Sequence, residues 1–321
     1  MNAATAAAPR VYWPVQWRRN RGVNGLIIVV AALLALYAYL FPGLISVSGV
    51  SKFSQSWLPL ALVSMAQAVL MIAGGVSLAI GAMVSLGAVI AATTMAGPLG
   101  VVGGVALAIL AGVGVGAACG LIVVRLGLPA IVVTLATSFI VGGAALLILP
   151  RPGGAIPAWL SDLLAGNTPV AALLLVVAVV LWKIYLATPI GLSLYAAGEN
   201  PVAAYRAGVS VDAARIAAFA VSGLLSTCAG VFVAAQTGSG DPVIGEAFTL
   251  NSIAAAVLGG VGFLGGRGAM RGAIAGSLLL SVMINVMYFL GFPPVAHYIA
   301  QGLIIVGAVA LPAFTSRRRS A

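Results

Sequence analysis

Residues 188–215 read TPIGLSLYAAGENPVAAYRAGVSVDAAR, the longest polar interruption between the first and last apolar segments of the chain. The stretch carries Glu199, Arg206, Asp212 and Arg215, and apolar runs of spanning length lie on both sides of it. In a chain that is 62% hydrophobic and 6% charged, such runs exclude a soluble globular domain. The expected fold is an all-α integral membrane protein. A long structured loop on one side of it needs a purpose, and a docking partner supplies one; composition alone leaves a plain solvated connector equally open.

Outward from this loop, the 321 residues hold about ten spans of roughly 20 residues each. They fall near 25–45, 57–73, up to 96, 101–124, 129–149, 170–186, 216–235, 252–264, 273–290 and 295–311. The transmembrane domain thus covers 25–312, between a polar N-terminal tail, 1–24, and a basic tail, 313–321. Arg18, Arg19 and Arg21 precede the first run without a small-residue cleavage site behind it, so that run reads as an anchor. The span at 252–264 is short, and Gly238-Ser239-Gly240-Asp241-Pro242 stands before it. The pair suggests a broken or re-entrant helix near 238–252, tolerated only where protein or a water-filled cavity covers it. Gly112, Gly114, Gly116 and Gly120 recur within one span, as small residues do where helix backbones approach in lipid.

Charge sets the orientation. With ten spans and the N-terminus inside, 13 of the 15 basic residues face the cytoplasm, leaving Lys52 and Arg151 outside. Retention of Lys and Arg on the inner face therefore places both termini in the cytoplasm. The net charge of +10 belongs to this asymmetry rather than to nucleic acid, because the basic residues sit at helix ends without interleaved aromatics.

The five acids, Asp162, Glu199, Asp212, Asp241 and Glu246, fall in loops or at span ends. A gradient-coupled carrier usually keeps an ionisable group at depth. His297 lies near the outer end of the last span and reads as an interfacial residue, not a relay. Neither Lys52 nor Lys183 follows a glycine-rich turn, and no G-x-x-x-x-G-K-[ST] loop is present, so ATP is not bound in this chain. Cys119 and Cys228 lie inside apolar runs as small hydrophobes and support neither a disulfide nor a metal site. An intramembrane enzyme lacks its paired His, Cys or carboxylate groups at depth. An engine on another subunit is the remaining source of energy. Candidate path residues are the polar side chains inside spans: Gln67, Thr134, Thr137, Ser138, Asn251, Ser252, Asn285 and Gln301, with Ser77 in the first glycine turn. Hydroxyls can bond the preceding turn instead, and the amides of Gln67, Asn285 and Gln301 can bond between helices.

Within the loop, Asn200 is placed to cap a short helix, Pro201 suits its first turn and Gly208 ends it. Gly198-Glu199-Asn200, Ala203-Ala204, Arg206, Ala207-Gly208-Val209 and Val211 resemble the coupling loop G-[GE]-N-x-x-A-A-x-x-x-G-[IV]-x-V of ribose-type permeases of bacterial ATP-binding-cassette importers. The resemblance continues through Ser222-Gly223-Leu224-Leu225 and Ala229-Gly230. It extends to the glycine-rich run from Leu258 to Gly268 and to the run from Gly74 to Gly81. Four motifs in the family's order cover most of the chain after the first span.

The resemblance implies a multi-pass subunit of the bacterial inner membrane that is not itself an enzyme. Its partners would be cytoplasmic ATPase subunits carrying ATP and Mg, a second permease chain and a periplasmic binding protein; the chain itself would hold no cofactor. The substrate class it implies is a sugar, pentose-like, with branched-chain amino acids or nucleosides as alternatives within the class. A stand-alone secondary transporter or channel is the reading from a different class. Ser77 and Ala79 stand where the family has Asp and Ser, Asn251 where it has Asp, and Gly262 where it has Ser. These departures imply a less polar path and pairing with a non-identical permease.

Overall fold

The computed structural model describes residues 21–40, 43, 46–263, 265–293, 296, 299–300 and 302–303. Residues 1–20 of the N-terminal tail, the basic tail at 313–321, Gln301 and His297 lie outside the described residues, as does most of the span expected at 295–311. Among the described residues the chain is helical: α1 (Arg21–Leu40), α2 (Val47–Ile72), α3 (Ile80–Thr94), α4 (Gly100–Leu126), α5 (Ala130–Ile148) and α6 (Ala158–Ala165) form its first half. The second half is α7 (Val170–Ala187), α8 (Pro189–Glu199), α9 (Pro201–Arg206), α10 (Val211–Thr237), α11 (Glu246–Leu258) and α12 (Met270–Phe289). Of these, α2, α4, α5, α7, α10 and α12 are long and apolar enough to cross a membrane, while α1, α3 and α11 hold shorter apolar stretches.

Burial sorts the spans into an inner pair and an outer ring. The apolar window of α2 is 89% buried and that of α10 is 61%, against 22% for α5 and α7. Close approach of α10 to α4 depends on the glycines: a Cβ on Gly116 would fall on the carbonyl of Phe219, and one on Gly223 on the carbonyl of Gly112. Gly112, Gly116 and Gly120 all face α10, whereas Gly114 faces open space. The outer helices expose large apolar side chains such as Leu147 and Phe139, as lipid-facing or partner-facing spans do.

Two helices begin earlier than the hydropathy pattern predicts. α2 starts at Val47, so Lys52 lies inside a helix and not in a loop. Ser46 caps it, its Oγ accepting from the Gly49 N–H at 3.0 Å. One side of these first turns is buried, where Ser51 Oγ donates to the carbonyls of Gly166 and Thr168 at 2.9 and 2.8 Å, and Gln55 Nε2 donates to Gly166 at 2.7 Å. The short helix expected at 252–264 is α11, Glu246–Leu258, which takes in both Asn251 and Ser252. Glu246 in its first turn favours the positive end of the helix. Gly260, at φ +77°, ends it. At 1.5 Å per residue its 13 residues reach about 20 Å, short of the roughly 30 Å hydrocarbon core.

The connections gather on two faces. On one, Ser51 meets Gly166 and Thr168, Ala155 N–H bonds Ala92, and Gly153 and Gly240 exchange backbone hydrogen bonds of 2.9 and 2.8 Å. On the other lie the turn after α2, the start of α5, helices α8 and α9, and the glycine-rich run before α12.

Candidate functional site

On this second face three glycine-bearing turns, far apart in sequence, meet backbone to backbone. α2 ends at Ile72, and Gly74 follows at φ +84°. The last turn of α8 holds the buried Gly198, whose added Cβ would fall on the carbonyl of Ile72. A Cβ on Gly265 would press on Gly198 and Gly74, and one on Gly266 on Glu199. Gly266 N–H donates to the Ile72 carbonyl at 2.9 Å. An ion pair of 3.8 Å between Arg267 and Glu199 closes the joint on its exposed side, where it adds little energy. α8 is therefore moored directly on the end of the innermost span and on the connection between α11 and α12.

From this joint α9 projects. Asn200 Oδ1 accepts from the Ala203 N–H at 3.0 Å, Pro201 occupies the first turn, and Gly208, at φ +81°, follows the helix. Ala204 is buried with Ala197, Val211 and Ala214, fixing one side of α9 to α8 and α10. Its other side presents Val202 and Tyr205, 63% and 76% exposed, with Ala203, Arg206 and Gly208 beside them. Sequence reasoning passed over Val202 and Tyr205; two large side chains three apart in an otherwise small-residue helix were the available signal. Tyr195, on α8, is half-buried, and burial pushes its phenol above the ordinary value.

A cavity of about 570 Å³ opens between α3, α5 and residues 242–249. Its polar lining comes from Ser85, Ser138, Glu246 and Thr249. Here the start of α11 crosses α3 at Gly81 and Gly245, where a Cβ on either would fall on the other's carbonyl, and Ser85 Oγ accepts from the Gly245 N–H at 3.0 Å. Of the polar span residues singled out above, Ser138 lines this cavity. The others sit elsewhere. Ser77 Oγ accepts from Ala79 N–H at 3.1 Å, and Thr134 Oγ1 accepts from Leu78 N–H at 3.1 Å, so both hold the turn before α3. Thr137 Oγ1 donates to the Val133 carbonyl at 2.9 Å, and Ser252 Oγ to that of Thr249 at 2.8 Å. Asn285 Nδ2 donates to Ser281 and Ser56 at 2.8 and 3.2 Å, joining α12 to α2. Gln67 is wholly buried, and neither end of its amide has a partner among the described residues. Asn251 is half-buried in α11. Among the described residues no cluster of three or more His, Cys, Asp or Glu could hold a metal ion.

Six lipid-length helices, a cavity whose largely apolar wall carries four polar side chains, and a helix moored on one face define a polytopic membrane permease. The chain belongs to the family described as "Branched-chain amino acid transport system / permease component", whose model matches residues 49–309. It is 28% identical over 294 residues to the ribose import permease protein RbsC of Haemophilus influenzae, covering 88% of this chain and 90% of that one. It is 31% identical over 301 residues to the autoinducer 2 import system permease protein LsrC of an Enterobacter species, covering 91% and 87%. With the probable ABC transporter permease protein YphD of Escherichia coli it shares 30% identity over 309 residues, 94% and 93% of the two chains. No solved structure matches the chain. The protein is thus a multi-pass permease component of the bacterial inner membrane and not an enzyme.

Proposed function

We propose that this permease is one subunit of an ATP-driven, binding-protein-dependent importer of a sugar, pentose-like in size. A separate ATPase, carrying ATP and Mg, drives it through residues 188–215, with Gly198, Glu199, Asn200, Ala203, Ala204, Arg206 and Gly208 forming the coupling segment. The observation that carries this reading is the backbone joint of Gly74, Gly198, Gly265 and Gly266. A joint without side chains between its parts transmits a push on α9 to α2 and α12 with little slack. Ten spans, the permease domain at 25–312 and two cytoplasmic termini complete the topology. The further partners are a second permease chain, identical or not, and a periplasmic binding protein that sets specificity. The cavity between α3, α5 and 242–249 forms part of the path. Gln67 and Asn251, which make no side-chain hydrogen bond among the described residues, remain path candidates, while Ser77, Thr134, Thr137 and Asn285 act in packing.

Relatives named for ribose import and for L-arabinose transport support the sugar. The family's own description favours a second reading, a branched-chain amino acid. Proteoliposomes holding the chain, its ATPase and its binding protein decide between them: labelled pentose, not leucine, should enter, and only with ATP on the ATPase side. Glu199→Arg and Gly208→Pro should lower uptake while insertion stays normal. Uptake by the chain alone without ATP would overturn the reading in favour of a carrier or channel.

A further inference from the structure

Two more cavities lie away from the proposed path, along the flank of α7. One, of about 330 Å³, is walled by apolar side chains of α2, α7 and α10, among them Leu58, Leu181 and Phe232, and takes in Tyr185. The other, of about 210 Å³, lies between α7, α8 and the start of α12, and takes in Lys183, Tyr195 and Arg271. Trp182 lines both, so an apolar slot and a cationic mouth share a wall.

Three features of this flank ask for the same ligand. Lys183 and Arg271 are exposed and carry no ion pair among the described residues, where the salt bridge joins Arg267 to Glu199 instead. The start of α12, with Ala269 as its N-cap, has no side-chain cap, and Ala269, Met270 and Arg271 line the same mouth, which sets the positive end of the helix beside it. The Tyr185 hydroxyl is buried at the edge of the apolar slot and has no hydrogen-bond partner among the described residues. A buried donor of this kind needs an acceptor. An anionic head, an oxygen acceptor just below it and an apolar tail are the three parts of a phospholipid with a negatively charged headgroup. Basic pockets between membrane helices recognise such lipids.

We propose that this flank binds one anionic phospholipid. Its phosphate lies between Lys183, Arg271 and the start of α12; an acyl chain fills the slot beside α7; the Tyr185 hydroxyl donates to an ester oxygen. The lipid would then bridge α7 to the base of α8 and α12, next to the coupling joint. The orientation proposed above decides only which leaflet supplies it. Binding in detergent does not depend on that orientation or on transport, so the two readings fail separately.

The test uses the full chain in detergent, titrated with dioleoylphosphatidylglycerol or dioleoylphosphatidylcholine and read by native mass spectrometry. Quenching of Trp182 fluorescence by brominated phosphatidylglycerol, with Trp182→Phe as control, locates the site. One phosphatidylglycerol should bind at least tenfold more tightly than phosphatidylcholine, as expected for two cations at a membrane surface. The double variant Lys183→Gln/Arg271→Gln should abolish this preference; both side chains are exposed, so the fold is kept. Tyr185→Phe should weaken binding several-fold at unchanged helicity. Equal affinity for the two lipids, or a preference that survives the double variant, would overturn the proposal. So would displacement of the lipid by millimolar inorganic phosphate alone. A disulfide between two copies carrying Leu181→Cys would assign the flank to a second permease chain, with the same consequence.

Discussion

Gln67 and Gly198 bring opposite problems into the interior. An amide buried without a partner costs about 1–3 kcal/mol, so Gln67→Leu should raise the melting temperature of the detergent-purified protein. Stability that falls or stays flat would mean that the amide already has a partner, such as a bound water, in the isolated protein. Gly198 has no room for a side chain, because a Cβ would fall on the backbone of α2. Gly198→Val should therefore cost about 1–3 kcal/mol from overpacking and abolish ATP-driven uptake. Gly114→Ala is the control: its Cβ enters open space inside α4. Removing a helical glycine there should leave stability unchanged or raise it by up to about 1 kcal/mol. In the sequence Gly114 reads like Gly112, Gly116 and Gly120, as a small residue permitting close packing, while Gly198 reads as part of the coupling-loop motif. Which of them touch a backbone is settled by helix facing at Gly114, two residues from both Gly112 and Gly116 and so on the opposite side of the helix, and by contacts across more than a hundred residues at Gly198.

Local chemistry made α9 legible before its surroundings were known. Asn200, Pro201 and Gly208 act within one turn of where they stand, so a cap, a start and a stop could be assigned from spacing. The starts of α2 and α11 were not legible in this way. Ser51 and Gln55 look like loop residues until the carbonyls of Gly166 and Thr168, more than a hundred residues on, are folded over them. The direction in which α9 faces also comes from packing: Ala204 turns inward, so Val202 and Tyr205 turn out. An exposed aromatic beside an apolar residue on a projecting helix is the pattern of an anchor for a partner. Tyr205→Ala should weaken association with the ATPase by about 2 kcal/mol, roughly thirtyfold, measured by binding of the detergent-solubilised chain to immobilised ATPase. Asn200→Ala, which removes only the cap, should lose about 1 kcal/mol. If Tyr205→Ala binds as the parent does while Arg206→Ala does not, contact is made by charge and the apolar knob is incidental.

The path candidates divide by what the helices leave unpaired, and the topology divides by what the two faces collect. Arg125, Arg206, Arg267 and Arg271 stand at the face of α8 and α9, while Lys52 and Arg151 stand at the face where Gly153 pairs with Gly240. The fold alone would serve equally well inverted, since its apolar belt is the same from either side. The excess of basic residues breaks this symmetry, and it is the ground for the proposal that the α8–α9 face is cytoplasmic. Single cysteines at Lys52, Arg151, Glu199 and Arg267, in a background with Cys119 and Cys228 replaced by alanine, test it with a maleimide that cannot cross the inner membrane. Lys52→Cys and Arg151→Cys should label once the reagent reaches the periplasm; Glu199→Cys and Arg267→Cys should label only after the inner membrane is opened. Because Glu199 and Arg267 form one ion pair, they must label together whatever the orientation. Labelling of that pair from outside would remove the coupling segment from the compartment that holds ATP, and the proposed drive through α9 would fall with it. Labelling of one but not the other would instead refute the joint.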